Sequence, residues 1–187
     1  MELVYPFDIA PLERGSKSQG GEILPVVEPN GVVIGRASRA LCHGGSMLLH
    51  PVVHLHLIDR YSKVYLQLRS VVKRTYPLHW DIAVAGHVSY GESLSEALYR
   101  EASEELGLTD FNPVELQTYI YETASRRELV TVYAAIGHFE LRPDMEEVAD
   151  GRWWDIDEIE RAYGTDTLTP TFEKEFKAIK DSLLALL

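Results

Sequence analysis

GHVSYGESLSEALYREASEELGL, residues 86–108, is the stretch on which the reading of this chain turns. Ser93-Leu94-Ser95-Glu96 has the form of a capping box, in which the serine oxygen takes a free amide of the first helical turn and the glutamate reaches back. Leu94, Ala97 and Leu98 recur at helical spacing and Gly107 supplies a stop, so a helix is predicted over residues 93–106. Within it Glu101, Glu104 and Glu105 stand three and four residues apart, on one face, with Cβ atoms ~5–6 Å from one another. Like charges at that spacing oppose a helix by a few tenths of a kcal/mol per pair, so the cluster requires open solvent or a cation. On these residues alone, a solvated acidic face and a cation site both stand open.

Working outward, the chain has 187 residues, enough for one compact domain with its own core. At 45% hydrophobic and 25% charged it excludes collagenous, low-complexity and largely disordered classes. Acidic residues number 29 against 18 basic ones, a formal charge of -11, which disfavours attraction to nucleic acid or an anionic membrane. An anionic ligand would therefore need local neutralisation. The single cysteine, Cys42, permits neither an internal disulfide nor a thiolate zinc site, so a reducing, cytoplasmic setting is expected. Residues 1–6 lack the basic and apolar regions of a signal peptide, and no apolar run approaches the ~18 residues of a membrane span.

Residues 11–21 (PLERGSKSQGG) read as a loop. Residues 22–27 and 31–35 are β-prone runs separated by Pro29-Asn30-Gly31, which predicts a small antiparallel ribbon with a positive-φ Asn-Gly turn. Residues 52–58 (VVHLHLI) and 64–68 (VYLQL) predict a second hairpin. Alternation in the first places Val53, Leu55 and Leu57 on one face and His54, His56 and Ile58 on the other, with the two histidines turned to a covering helix or ribbon. Residues 116–122, 129–136 and 152–154 read as strands, and residues 172–187, after Pro170, as a terminal amphipathic helix. Strands with helices at intervals indicate an α/β sandwich, with residues 1–35 as an extension and ribbon and residues 36–187 as the main domain.

Gly86, five residues, Glu92, seven residues, and then Arg100-Glu101-Ala102-Ser103-Glu104-Glu105-Leu106-Gly107-Leu108 resembles the Nudix box, GX5EX7REUXEEXGU with U a bulky aliphatic residue. All seven fixed positions match, which average residue usage would produce by chance with a probability below about one in a million. Ala102 departs from the pattern, being smaller than usual at a position that packs under the helix. The resemblance implies an α/β/α sandwich with a mixed sheet, and Mg2+- or Mn2+-dependent hydrolysis of a diphosphate bond in a nucleoside diphosphate linked to another group. It implies Glu101, Glu104 and Glu105 as metal ligands, the Gly86 carbonyl near the metal, and Arg100 holding Glu101 in place. General chemistry agrees, because carboxylate oxygens suit Mg2+, which binds phosphates alongside one or two protein ligands. The partner implied is a small-molecule diphosphate, neither nucleic acid nor membrane is required, and a homodimer is compatible with the sequence.

A second resemblance lies in QLRSVVKRTYPLHWDIAVAGHV, residues 67–88, where Arg69, Lys73, Pro77, Trp80, Gly86 and His87 are similar to isopentenyl-diphosphate isomerase; His43 and His50 add to the likeness. It implies diphosphate contacts for Arg69 and Lys73, and a metal site formed by His43, His50 and His87 with two glutamates of a later strand. Glu128 stands at one of those positions and Arg126 at the other, while Ala85 replaces the proton-transferring cysteine. The expectation is a hydrolase of the isomerase-like branch, with Arg126 paired to Glu128, no metal on the histidines, and His87 lining the diphosphate pocket. An ion held there would be lost near pH 6.5, the ordinary imidazole range. A non-catalytic Nudix-like ligand-binding or regulatory domain is the alternative. Trp153 and Trp154 are expected at a sheet edge, and Glu147 is a further candidate metal ligand.

Overall fold

The computed structural model describes residues 1–6, 21–146 and 148–187, so most of the expected loop at 11–21, and Glu147, lie outside the described residues. In chain order the elements are β1 (Ile23–Val27), β2 (Val33–Ser38), α1 (Arg39–Cys42), β3 (Leu49–Ile58), β4 (Val64–Arg69), β5 (Trp80–Asp81), β6 (Val84–His87), α2 (Leu94–Leu106), β7 (Val114–Glu122), β8 (Arg127–Ile136), β9 (Val148–Trp154), α3 (Ile156–Ala162) and α4 (Pro170–Leu184). β1 and β2 form a separate antiparallel ribbon, and the main sheet runs β5-β4-β3-β8-β7, with β6 paired to β3 and β9 to β4. The described chain packs as two compact units, residues 1–53, 86–98 and 118–131, and residues 54–85, 99–117 and 132–187.

In the first unit the ribbon turns through Glu28–Gly31, where the Gly31 N–H donates to the Glu28 carbonyl at 2.9 Å. Only Gly31 takes a positive φ, of 86°, so the expected pair of positive angles reduces to one. Asn30 acts through its side chain, whose Oδ1 accepts from the Val32 N–H at 3.1 Å. A Cβ on Gly31 would lie 2.7 Å from the Glu2 carbonyl, so the N-terminal segment crosses here only because no side chain is present. Leu24, Val26, Ala37 and Cys42 make one small core, and Val27, Val33, Leu49, Tyr90 and Leu129 another. The start of α2 closes the capping box, with Ser93 Oγ accepting from the Glu96 N–H at 3.2 Å and Glu96 Oε2 accepting from the Ser93 N–H at 2.9 Å.

In the second unit β4 is paired along its length with β9 and, near its end, with β5 (Gln67↔Asp81, Leu68↔Trp80). Alternation divides its side chains. Val64 and Leu66 join Ile58, Ile82, Trp154, Ile159, Phe172, Phe176 and Leu183 in a core under α4, whereas Tyr65, Gln67 and Arg69 point the other way. Trp153 lies on that other face, edge-on to Tyr65 at 5.4 Å between ring centres. The last helix begins at Pro170, two residues earlier than expected, because proline suits the first helical position and Thr169 Oγ1 accepts from the Phe172 N–H at 3.2 Å. β5, β6, α1 and α3 leave no sequence signal, because two to seven residues are too few for periodicity to register.

His54 and His56 do face a covering helix. His54 Nδ1 and His56 Nε2 meet the two oxygens of Glu175, on α4, at 2.7 and 2.6 Å. Burial by itself would push the Glu175 carboxyl up, but the two histidines outweigh it and hold the group well below the usual carboxylate range. Glu175→Ala is expected to destabilise the protein by about 3–5 kcal/mol, the cost of stripping one partner from a buried polar pair. Urea denaturation at pH 7 measures it, and an unchanged midpoint would show that α4 is held by apolar packing alone.

Candidate active site

The last turns of α2 gather carboxylates. Glu101, Glu104 and Glu105 share with Asp144 a pocket of about 230 Å³. One guanidinium nitrogen of Arg100 donates to Glu101 Oε1 at 2.8 Å and to Glu104 Oε2 at 3.2 Å. Glu105 is buried, and its Oε2 accepts from the amide nitrogen of Gln67, on β4, at 3.1 Å. The helix ends at Gly107, with φ 62°, where a Cβ would press on Arg142 at 3.2 Å. There the chain past β8 docks: the Arg142 N–H donates to the Leu106 carbonyl at 2.7 Å and the Asp144 N–H to the Glu105 carbonyl at 2.8 Å. Those carbonyls are among the ones a helix end leaves without an internal partner, and satisfying them delivers the Asp144 carboxylate to the pocket.

In the sequence Asp144 is one of nine carboxylates between residues 140 and 160, and nothing local distinguishes it. The pocket sits at the negative end of the α2 dipole, and the last turn of α2 holds no basic residue. Hard oxygen donors, concentrated negative charge and an open mouth fit Mg2+ or Mn2+.

On the same face of β4 as Gln67, Arg69 lies one two-residue step away, about 6.7 Å along the strand. Its guanidinium donates to Asp81 Oδ2 at 3.0 Å, to the Thr75 carbonyl at 3.1 Å and to Thr75 Oγ1 at 3.4 Å. Asp81 in turn accepts from Thr169 Oγ1 at 2.7 Å and the Ile82 N–H at 2.9 Å. Lys73, half-buried, follows in the loop between β4 and β5, its N–H donating to the Ser70 carbonyl at 3.1 Å. Gly86 lies on β6, next to His87.

In the first unit His43, His50, His87 and Glu128 bring one potential ligand atom each to within 4.8 Å of one another. The His43 and His87 Nε2 atoms are 2.9 Å apart, so one ring donates and the other accepts. His50 Nδ1 donates to the Leu48 carbonyl at 3.1 Å, which leaves its Nε2 as a lone pair, buried without a hydrogen bond and 3.9 Å from Glu128 Oε1. Burial, with the charges of His50, Arg126 and Arg39 nearby, pushes the His43 imidazole down to about 4. Burial likewise lowers His50, and His87 well below its ordinary value. Three neutral imidazoles and a carboxylate form an N3O donor set suited to zinc or manganese. Arg126 Nε stands 3.1 Å from Glu128 Oε1, the expected ion pair, and its charge opposes a cation there. The pH window shifts from the expectation: proton competition at His43 sets in near 4 and not near 6.5.

Layered sheet and helices, together with a helix-borne carboxylate pocket, define a Nudix-type hydrolase. The chain matches the NUDIX domain over residues 48–174 and belongs to that family. It is 34% identical over 143 residues to an isopentenyl-diphosphate Delta-isomerase of Leifsonia xyli subsp. xyli, covering 72% of this chain and 77% of that protein. To an uncharacterized Nudix hydrolase of Nostoc sp. it is 34% identical over 125 residues, covering 67% of this chain and 72% of the other. In structure it is similar to DR0079 from Deinococcus radiodurans, with a TM-score of 0.72 at 21% identity over 84% of this chain and 98% of that one.

If Arg126 governs the histidine cluster, Arg126→Glu should raise its affinity for zinc at least about tenfold, and adding His50→Ala should abolish the gain. Calorimetric titration of chelator-treated, untagged protein reads this directly. Equal affinities in wild type and Arg126→Glu would remove Arg126 from any such role.

Proposed function

We propose that this protein hydrolyses the diphosphate bond of a small molecule, a nucleoside diphosphate linked to another group or a related diphosphate, with Mg2+ or Mn2+ held at the acidic pocket. One observation carries the reading: Glu101, Glu104, Glu105 and Asp144 converge on a single space, with Arg100 bridging two of them. A diphosphate cannot approach such a wall without a cation between them. When bound, the ion supplies Lewis-acid polarisation of the phosphoryl oxygens and a water of lowered pKa.

The residues divide the remaining work. Glu101, Glu104 and Glu105 would hold the ion, and Arg100 keeps Glu101 and Glu104 preorganised. Arg69 and Lys73 take the diphosphate, the first as a fork and the second as a point charge. Asp81 and Thr75 engage one N–H on each terminal nitrogen of Arg69, which leaves one on each for substrate.

The likeness to isomerases does not extend that activity to this chain. Position 85 is alanine, and the only cysteine, Cys42, is fully buried with its thiol pushed up by burial. A non-catalytic binding domain would not need the three glutamates of the box, all of which line the pocket.

Glu104→Gln or Glu105→Gln should leave the circular dichroism spectrum unchanged and lower kcat at least about a hundredfold. The substrate for that assay comes from a panel of nucleoside diphosphate sugars, dinucleotides, coenzyme A, NADH and thiamine diphosphates. Near wild-type turnover of both variants at limiting Mg2+ would reduce the acidic face to a solvated surface. The purified protein is also expected not to interconvert isopentenyl and dimethylallyl diphosphate; isomerisation that disappears in Cys42→Ala would overturn the assignment of position 85.

A further inference from the structure

We infer that Gln67 is a positioning residue for the cation site, its amide aiming the Glu105 carboxylate into the pocket without cancelling its charge. The inference rests on reading that pocket as the cation site, and it adds a residue that lies outside the box, on a different element.

Gln67 is 6% exposed, in the middle of β4, with strands on both sides (Gln67↔Asp81 and Gln67↔Gly151). A buried side-chain amide requires partners, and one left unmade costs about 1–3 kcal/mol. Its partner here is Glu105 Oε2, at 3.1 Å. Glu105 is itself only 7% exposed, and its peptide carbonyl accepts the Asp144 N–H at 2.8 Å. The residue is thus gripped twice, at the peptide by the segment that brings Asp144 and at the carboxylate by β4.

The chemistry of the donor matters. Arg100 engages Glu101 and Glu104 through ion pairs, which compete with a cation for the same charge. At Glu105 the donor from β4 is a neutral amide, which fixes the orientation of Oε2 without bringing a positive charge of its own. An apolar residue at 67 would supply no donor, a lysine or arginine would neutralise the carboxylate, and a glutamate would repel it. Glutamine meets all three constraints.

The test is a double-mutant cycle on the full chain, read as Mn2+ affinity from loss of the free aqua-Mn2+ electron paramagnetic resonance signal, with no substrate present. Gln67→Met keeps the shape of the side chain and removes the donor. It is expected to raise the Mn2+ Kd at least about tenfold. Glu105→Gln should weaken binding as well, and the double variant should bind no more than about twofold more weakly than Glu105→Gln alone, because the amide acts only through that carboxylate. Wild-type affinity in Gln67→Met, or penalties that simply add, would overturn the inference. Unchanged affinity in Glu105→Gln would instead overturn the reading of the pocket. Should Gln67→Met not fold, Gln67→Asn enters the same cycle: its amide, one methylene short, cannot span the gap, and the same loss is expected.

Discussion

Carboxylates crowded at the negative end of a single helix are the constraint on which the rest of this structure depends. Glu101, Glu104 and Glu105 oppose the α2 dipole and one another, at a few tenths to about 1 kcal/mol each. The helix tolerates them because its stability comes from elsewhere. Its apolar stripe, Leu94, Ala97, Leu98, Ala102 and Leu106, is buried throughout, and its N-terminus is closed by the Ser93–Glu96 box. With one face and one end secured, the other face is free to accumulate charge, and a cation bound there would turn mutual repulsion into shared attraction.

In the second unit a single strand turns one face to the core and the other to charged partners. β4 sends Val64 and Leu66 into the core beneath α4, while Gln67 and Arg69 emerge on the opposite face with partners that carry charge. Two buried polar contacts complement the apolar packing of α4: Thr169 Oγ1 on Asp81 near its start, and Glu175 between His54 and His56 further along. Apolar packing sets distance, but hydrogen bonds set register. Because Asp81 accepts from both Thr169 and Arg69, the placement of the Arg69 guanidinium is tied to the cap of the last helix.

Two donor sets of different character coexist in the chain. The oxygen-only pocket of α2 suits a hard, labile ion that travels with a phosphate. The cluster of His43, His50, His87 and Glu128 has three neutral nitrogens held by burial, the arrangement of a tighter and softer site, with Arg126 set against the carboxylate. One arginine at a strand entry therefore alters the electrostatics of a donor set that is otherwise geometrically complete.

The amino-acid sequence by itself determined what is local. The capping box, the spacing of the glutamates, the hairpin runs and the alternation of His54 and His56 all depend on residues a few positions apart, and propensity and period act at that range. β5, β6, α1 and α3 are too short or too charged to leave a period. Nine carboxylates lie between residues 140 and 160, and nothing local distinguishes Asp144 among them. It joins the pocket because two backbone amides dock on the last carbonyls of α2. Gln67 reads as one more polar residue in a strand until strand pairing and the packing of α2 bring it to Glu105. Such partnerships belong to tertiary structure because they are set by which surfaces meet, and a hydrogen bond between residues distant in the chain leaves no period in the sequence.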